Sequence, residues 1–175
     1  MSIRVVTPII ALGLLACGGK PDSAAALPDQ QGAAPATTTT AADSPGVDPA
    51  VMAQGQEGYA ICQTCHQADG QGLAGTYPPL AGSDFVNGPA ERMIAIVLHG
   101  LNGPVTVGGN EYNNVMAPWG ALPDDQIAAT VTYVRHSFGN RGSVVTPADV
   151  AAVRRATEGR TTPWTVTELM AAVLR

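Results

Sequence analysis

The sequence predicts an all-α fold: a small domain of short helices, with one small hairpin and two extra helices at its C-terminal end. Three observations carry that expectation. Apolar residues recur at helical spacing in brief stretches bounded by Asp, Pro and Gly, as where Met52, Gly55, Tyr59 and Cys62 fall at i, i+3, i+7 and i+10. The helix starts carry recognisable capping residues, two of them beyond residue 140. Between the first two amphipathic stretches stands Cys62-Gln63-Thr64-Cys65-His66, two thiols three positions apart with an imidazole directly behind them. This is the C-x-x-C-H pattern of covalent haem attachment, so short helices wrapped around one haem would share its flat apolar body as their core.

The elements follow in order. Asp48-Pro49 is a cap and first-turn pair opening a helix that leads into the cysteine motif. A second helix is expected from Pro89 to about Leu98, with Glu91 in its first turn, an apolar face of Met93, Ile94, Val97 and Leu98, and Gly100 as its stop. Val105 to Tyr112 reads as a hairpin turning at Gly108-Gly109 and covering the haem edge. A third helix begins near Pro123-Asp124-Asp125, buries Ile127, Val131, Val134 and Phe138, and ends at Gly139. Thr146-Pro147-Ala148-Asp149 and Thr165-Val166-Thr167-Glu168 then start two further helices, the second ahead of Leu169, Met170, Val173 and Leu174.

The 175 residues, 45% hydrophobic and 5% aromatic, suit one modest folded domain rather than two. Residues 1–17 read as an export signal, in which Arg4 is the positive start and Val5 to Ala16 an apolar stretch too short to span a bilayer. Its end, Leu14-Leu15-Ala16-Cys17, resembles the bacterial lipobox, although Leu15 is bulkier than the residue common there. Lipidation of Cys17 is expected, the alternative being plain signal cleavage. Residues 18–48, rich in Ala, Pro and Thr and including Thr37 to Thr40, hold almost no large apolar side chain and are expected to form a disordered tether. A flexible chain of about 30 residues has an end-to-end span of roughly 30 Å. The haem domain is then residues 49–140, and residues 141–175 are a helical extension.

Charge narrows the partners. The formal net charge is −5, and removing the leader leaves 8 basic against 14 acidic residues. That disfavours nucleic acid and an anionic membrane surface, and favours partners with basic docking faces. The sign reverses along the chain, since residues 48–140 carry 2 basic and 8 acidic residues and residues 141–175 carry 5 and 3. The extension is therefore expected to pack on the acidic haem domain, with partner docking as the alternative.

Two other chemistries use such cysteines. A redox dithiol of the thioredoxin kind follows a strand in a βαβ pattern, and no such pattern flanks Cys62. A zinc site needs about four ligands, yet only Cys17, His99 and His136 stand outside the motif, none of them paired.

The order of helix, C-x-x-C-H, loop, helix, methionine loop and helix over residues 49–140 resembles class I cytochrome c, here in a monohaem bacterial lipoprotein form. The resemblance implies that Cys62 and Cys65 bind haem c through thioethers and that His66 is one axial ligand of the iron. Asn113-Asn114-Val115-Met116-Ala117-Pro118-Trp119 resembles the family's methionine loop, which implies Met116 as the other. Met52 and Met93 lie on apolar helix faces and suit a core-filling role instead, while His99 suits exposure or helix capping and His136 an ordinary helix position. The family's histidine is held by a proline carbonyl twelve residues on, with a leucine two further against the haem; those positions are Pro78 and Leu80. Tyr112, Asn113 and Trp119 are expected in the haem environment as hydrogen-bond donors, by analogy. The first and last helices of the family cross at a small residue packed by an aromatic one, here Gly55 against Tyr133 with Tyr59 nearby. Tyr59 stands three residues before Cys62 rather than the usual four, so a local adjustment is expected there.

The function expected is a non-enzymatic electron carrier, exported and lipid-anchored to the periplasmic face of a bacterial membrane, serving redox proteins of a respiratory chain or a dehydrogenase. The alternatives are a haem sensor or enzyme with a labile sixth ligand, and a haem subunit of a dehydrogenase or oxidase complex.

Overall fold

A computed structural model describes residues 46–174. The export signal, Cys17 and nearly all of the proposed tether lie outside the described residues. Within them, helices dominate. α1 (Pro49–Tyr59) starts as expected, with the Asp48 carboxylate accepting from the Ala50 N–H at 2.8 Å and Pro49 in the first turn. α2 (Gln63–His66) is a single turn carrying most of the cysteine motif, and α3 (Asp84–Asn87) is another single turn, capped by Ser83. α4 spans Ala90–His99, with Pro89 as its cap rather than its first residue. β1 (Val105–Val107) and β2 (Asn110–Tyr112) pair antiparallel with Val107 opposite Asn110. Their two-residue connection is Gly108-Gly109, both with positive φ, the conformation a tight hairpin turn needs. α5 covers Asp124–His136, and α6 (Pro147–Ala156) and α7 (Val166–Ala171) form the extension.

The α1–α5 crossing frames the core. A Cβ on Gly55 would run into the Ala129 carbonyl oxygen and stand 2.6 Å from Tyr133 Cβ, so only glycine lets the two backbones meet. Gly58, one turn on, makes the same close approach to the Thr130 hydroxyl. Tyr59 is buried beside Tyr133 at 5.6 Å between ring centroids, and its hydroxyl donates to the Gln67 carbonyl at 2.7 Å. The aromatic shift noticed in the sequence thus places a hydrogen bond on the first residue after His66.

Phe138 departs from expectation. α5 ends at His136, and Phe138 has φ 58, outside the helix. Its ring turns back onto Tyr59, with centroids 5.2 Å apart, and lies over Gly70, where a Cβ would come within 2.6 Å of it.

The extension packs on the domain. Both predicted helix starts form reciprocal capping boxes, Thr146 with Asp149 and Thr165 with Glu168. Val150, Val153, Trp164, Leu169 and Leu174 join the core formed by α4 and α5. Arg154 pairs with Asp124 at 2.8 Å, joining the basic extension to the acidic domain. Met170 and Val173, which follow the second helix start with Leu169 and Leu174, are 50% and 82% exposed. The helix stops at Ala171, so Val173 is no longer on a helical face with Leu169.

Candidate haem site

An apolar cavity opens between α2 and the loop that precedes α5. Met93 and Val97 of α4, Val105 and Val107 of the hairpin, and Ile127, Val131 and Val134 of α5 form its walls. A second opening continues it toward Cys65, Tyr112 and Asn114. These walls come from three elements set apart in sequence, each presenting one apolar face.

Cys62 and His66 line one side of the cavity. A single turn of backbone sets them there, since His66 N–H donates to the Cys62 carbonyl at 3.0 Å. As a free thiol Cys62 is pushed up to about 11 by burial, with the neighbouring Cys65 adding to the rise. His66 Nδ1 lies 2.9 Å from the Pro78 carbonyl. A carbonyl only accepts, so Nδ1 carries the proton and Nε2 keeps a lone pair. Burial lowers the imidazole pKa while the Pro78 bond opposes that shift, and the net direction is down. The ring is therefore neutral and fixed, the state a metal ligand needs. Two more bonds hold this segment, as Gly72 N–H donates to the His66 carbonyl at 2.9 Å and Leu80 N–H to the Gly70 carbonyl at 2.8 Å. Leu80 and Pro78 both line the cavity.

Met116 and Trp119 line it as well. Met116 exchanges two backbone hydrogen bonds with Leu101, of 2.8 and 3.1 Å, and Trp119 N–H donates to the Val97 carbonyl at 2.8 Å. The methionine loop is thus laid against the end of α4. Gly100 permits it, because a Cβ there would collide with the Met116 carbonyl oxygen. Tyr112 is buried and lines the outer opening. Asn113 is exposed and is not among the lining residues; its neighbour Asn114 takes that place and donates to the Thr76 carbonyl at 2.9 Å.

His99 turns away from the cavity toward the extension. Its Nε2 is 2.7 Å from the Thr157 hydroxyl, and its ring meets Trp164 edge-on at 6.3 Å. Burial lowers its pKa, with Arg160 and Arg154 contributing in the same direction. A depressed histidine favours folding while neutral, so its contribution is complete above the unfolded value of about 6.5 and falls away as pH drops below it. Accordingly, the thermal midpoint of wild type should fall further between pH 7 and pH 5 than that of His99→Gln, and equal falls would contradict this.

Several residues that position the site carried no motif. Asn140, just past α5, donates to the Leu80 carbonyl at 3.1 Å and the Val134 carbonyl at 2.9 Å and accepts from Gly82 N–H at 2.9 Å, so it ties the Pro78–Gly82 loop to α5. Arg135 is buried and donates to the carbonyls of Val86, Gly88 and Ser143. A buried guanidinium that ends on carbonyls is a structural fastener for loops. Leu101, which links Met116 to the rest of the fold, gave no signal beyond standing after a helix-stopping glycine.

The lining fits a haem. Thiols at attachment spacing, a neutral imidazole and the Met116 thioether line it together with apolar walls. Among the described residues no three His, Cys, Asp or Glu side chains gather as a metal cluster.

Comparison with known proteins agrees. The family model described as "Cytochrome c" matches residues 52–138. Cytochrome c-552 of Thermus thermophilus is 38% identical over 97 residues, covering 53% of this chain and 74% of that protein. The cytochrome c subunit of the quinone alcohol dehydrogenase of Komagataeibacter europaeus is 36% identical over 97 residues, and the fructose dehydrogenase cytochrome subunit of Gluconobacter japonicus 33% over 103. The chain spans 20% of the length of each of these two subunits. With the helical fold built around an apolar cavity, these matches make the chain a member of the cytochrome c family, a monohaem class I c-type cytochrome that carries haem c covalently and serves as an electron carrier.

Proposed function

We propose that this cytochrome shuttles single electrons with His66 and Met116 both retained as axial ligands, and that Cys62 and Cys65 hold the haem through thioethers. The observation that carries the proposal is the paired anchoring of the two side chains, His66 through the Pro78 carbonyl and Met116 through Leu101. When bound, the haem supplies a one-electron ferrous–ferric couple, and a thioether ligand raises its potential. The chain's own residues do the rest. Pro78 keeps the imidazole in one tautomer and one orientation. The apolar walls exclude water, which disfavours net charge and keeps reorganisation small. Ile61 and Val115, 39% and 63% exposed, rim the cavity and offer an apolar contact for transient docking. The net negative charge would steer partners with basic faces toward the molecule. A redox titration of the holoprotein tests this: a single reversible one-electron step is expected, with the absorption specific to methionine-ligated ferric haem returning on every reoxidation. Loss of that absorption after one cycle would mean that Met116 leaves the iron on reduction.

We further propose export and a lipid anchor at Cys17 on the periplasmic side, which is supported by the apolar leader and the lipobox-like tetrapeptide. Among the described residues no helix is long and apolar enough to cross a membrane. Replacing Cys17 with Ser should move most of the holoprotein from the membrane to the soluble fraction, whereas continued membrane association would refute anchoring there.

A second reading has support of its own, since two relatives are named as cytochrome subunits of dehydrogenases. On that reading the protein passes electrons as one subunit of a dehydrogenase complex. Pull-down from native membranes separates the two readings: a stoichiometric dehydrogenase favours the subunit, and free protein favours the shuttle.

A further inference from the structure

The segment 113–123 that bears Met116 holds no helix or strand, and its internal backbone bond is Leu122 N–H to the Trp119 carbonyl at 3.0 Å. Its position is set from outside, and part of that fixing comes from the extension. On one flank, Leu101 stands between Met116 and Trp164: it exchanges two bonds with Met116, while its neighbours Gly100 and Asn102 bond Trp164 at 3.0 and 2.7 Å. The Trp164 ring is in turn held by Arg160, whose guanidinium carbon lies 3.6 Å from the ring centroid. At the other end of the loop, Arg154 of α6 donates to the Gly120 carbonyl at 2.6 Å and the Leu122 carbonyl at 3.1 Å, and lays two bonds of 2.8 and 3.0 Å on Asp124.

We infer that Arg154 is a positioning residue for Met116: by gripping the Gly120 and Leu122 carbonyls, it holds the methionine loop against α4 and keeps the sulfur toward the haem cavity. The guanidinium suits the task because its planar fork reaches three acceptors at once, which an ammonium cannot do with the same geometry. Gly120 itself lies against the end of α4, so close to the Leu98 carbonyl that a Cβ would stand 2.6 Å from it. Loosening this grip leaves the core of α1, α4 and α5 in place and frees the loop to swing outward. The extension thereby sets how firmly the sixth position is closed. This rests on Met116 as the axial ligand.

The test is carried out on holoprotein, with imidazole as an external ligand competing for the ferric iron. Arg154→Met, which keeps the aliphatic stem, should bind imidazole about tenfold more tightly than wild type, as expected when charge-assisted bonds to the loop are lost. Amide hydrogen exchange should speed up at Met116 and Leu122 but not at Val131 in α5. Asp124→Asn, which leaves the carbonyl bonds to Arg154 in place, should shift imidazole affinity much less, and Arg154→Lys should fall between Met and Arg. Should Arg154→Met give no holoprotein, the Lys variant carries the same comparison. Unchanged imidazole affinity in the Arg154 variants would overturn the positioning role, even if exchange quickened. Met116→Ala run alongside separates the two claims: a methionine absorption that survives it removes Met116 as ligand and the positioning role with it, whereas its loss together with unchanged imidazole affinity in the Arg154 variants overturns the Arg154 role alone.

Discussion

Met116→Ala should abolish the long-wavelength absorption of methionine-ligated ferric haem and lower the reduction potential by on the order of 0.1 V, a fraction of the roughly 0.8 V that axial ligands span. The direction follows from the thioether's preference for the reduced state. The same substitution removes a partly buried side chain of the core, so stability should fall as well, by about 2–3 kcal/mol. Potentiometric titration with spectral readout measures both the band and the potential. An unchanged spectrum would move the ligand to another residue, and His99 would then be a poor replacement because it is bound to Thr157 of the extension and does not line the cavity.

Gly55→Ala should have the largest effect on the fold. Alanine is the better helix former by about 1 kcal/mol, so propensity alone would make the variant more stable. The added methyl, however, meets the Ala129 backbone carbonyl and Tyr133 Cβ, neither of which can rotate away. Separating α1 from α5 should cost more than the helix gains, for a net loss of at least about 2 kcal/mol. Gly58→Ala is a useful contrast, since its obstacle is a Thr130 hydroxyl that donates to the Gln126 carbonyl and can turn aside. The denaturation midpoint should fall further for Gly55→Ala than for Gly58→Ala, and the reverse order would show that the crossing is set elsewhere.

Local signals served the sequence reading best. The Asp48 cap, the Gly108-Gly109 turn and the Thr146 and Thr165 capping boxes are each fixed by side chains a few residues apart, so their chemistry is written where the element begins. The twelve-residue step from His66 to Pro78 is legible because a known family spacing predicts it, and the two groups lie 2.9 Å apart. Residues acting across the fold were silent. Asn140 bonds residues about 60 positions away, and its surroundings in sequence, Gly139 and Arg141, say nothing of Leu80. Phe138 was misassigned for a related reason: helical spacing continued to it, while the backbone left the helix two residues earlier to reach Gly70. Asn113 and Asn114 show the limit at single-residue scale, because in an irregular loop neither periodicity nor type says which of two adjacent exposed amides borders the outer opening.

Exposure of the reduced holoprotein to carbon monoxide at neutral pH tests the carrier most directly. With His66 and Met116 both retained, the ferrous spectrum should remain unchanged over minutes at saturating gas. Rapid conversion to a carbon monoxide adduct would show an open or easily opened sixth position, and would contradict a pure electron carrier in favour of a ligand-binding haem protein.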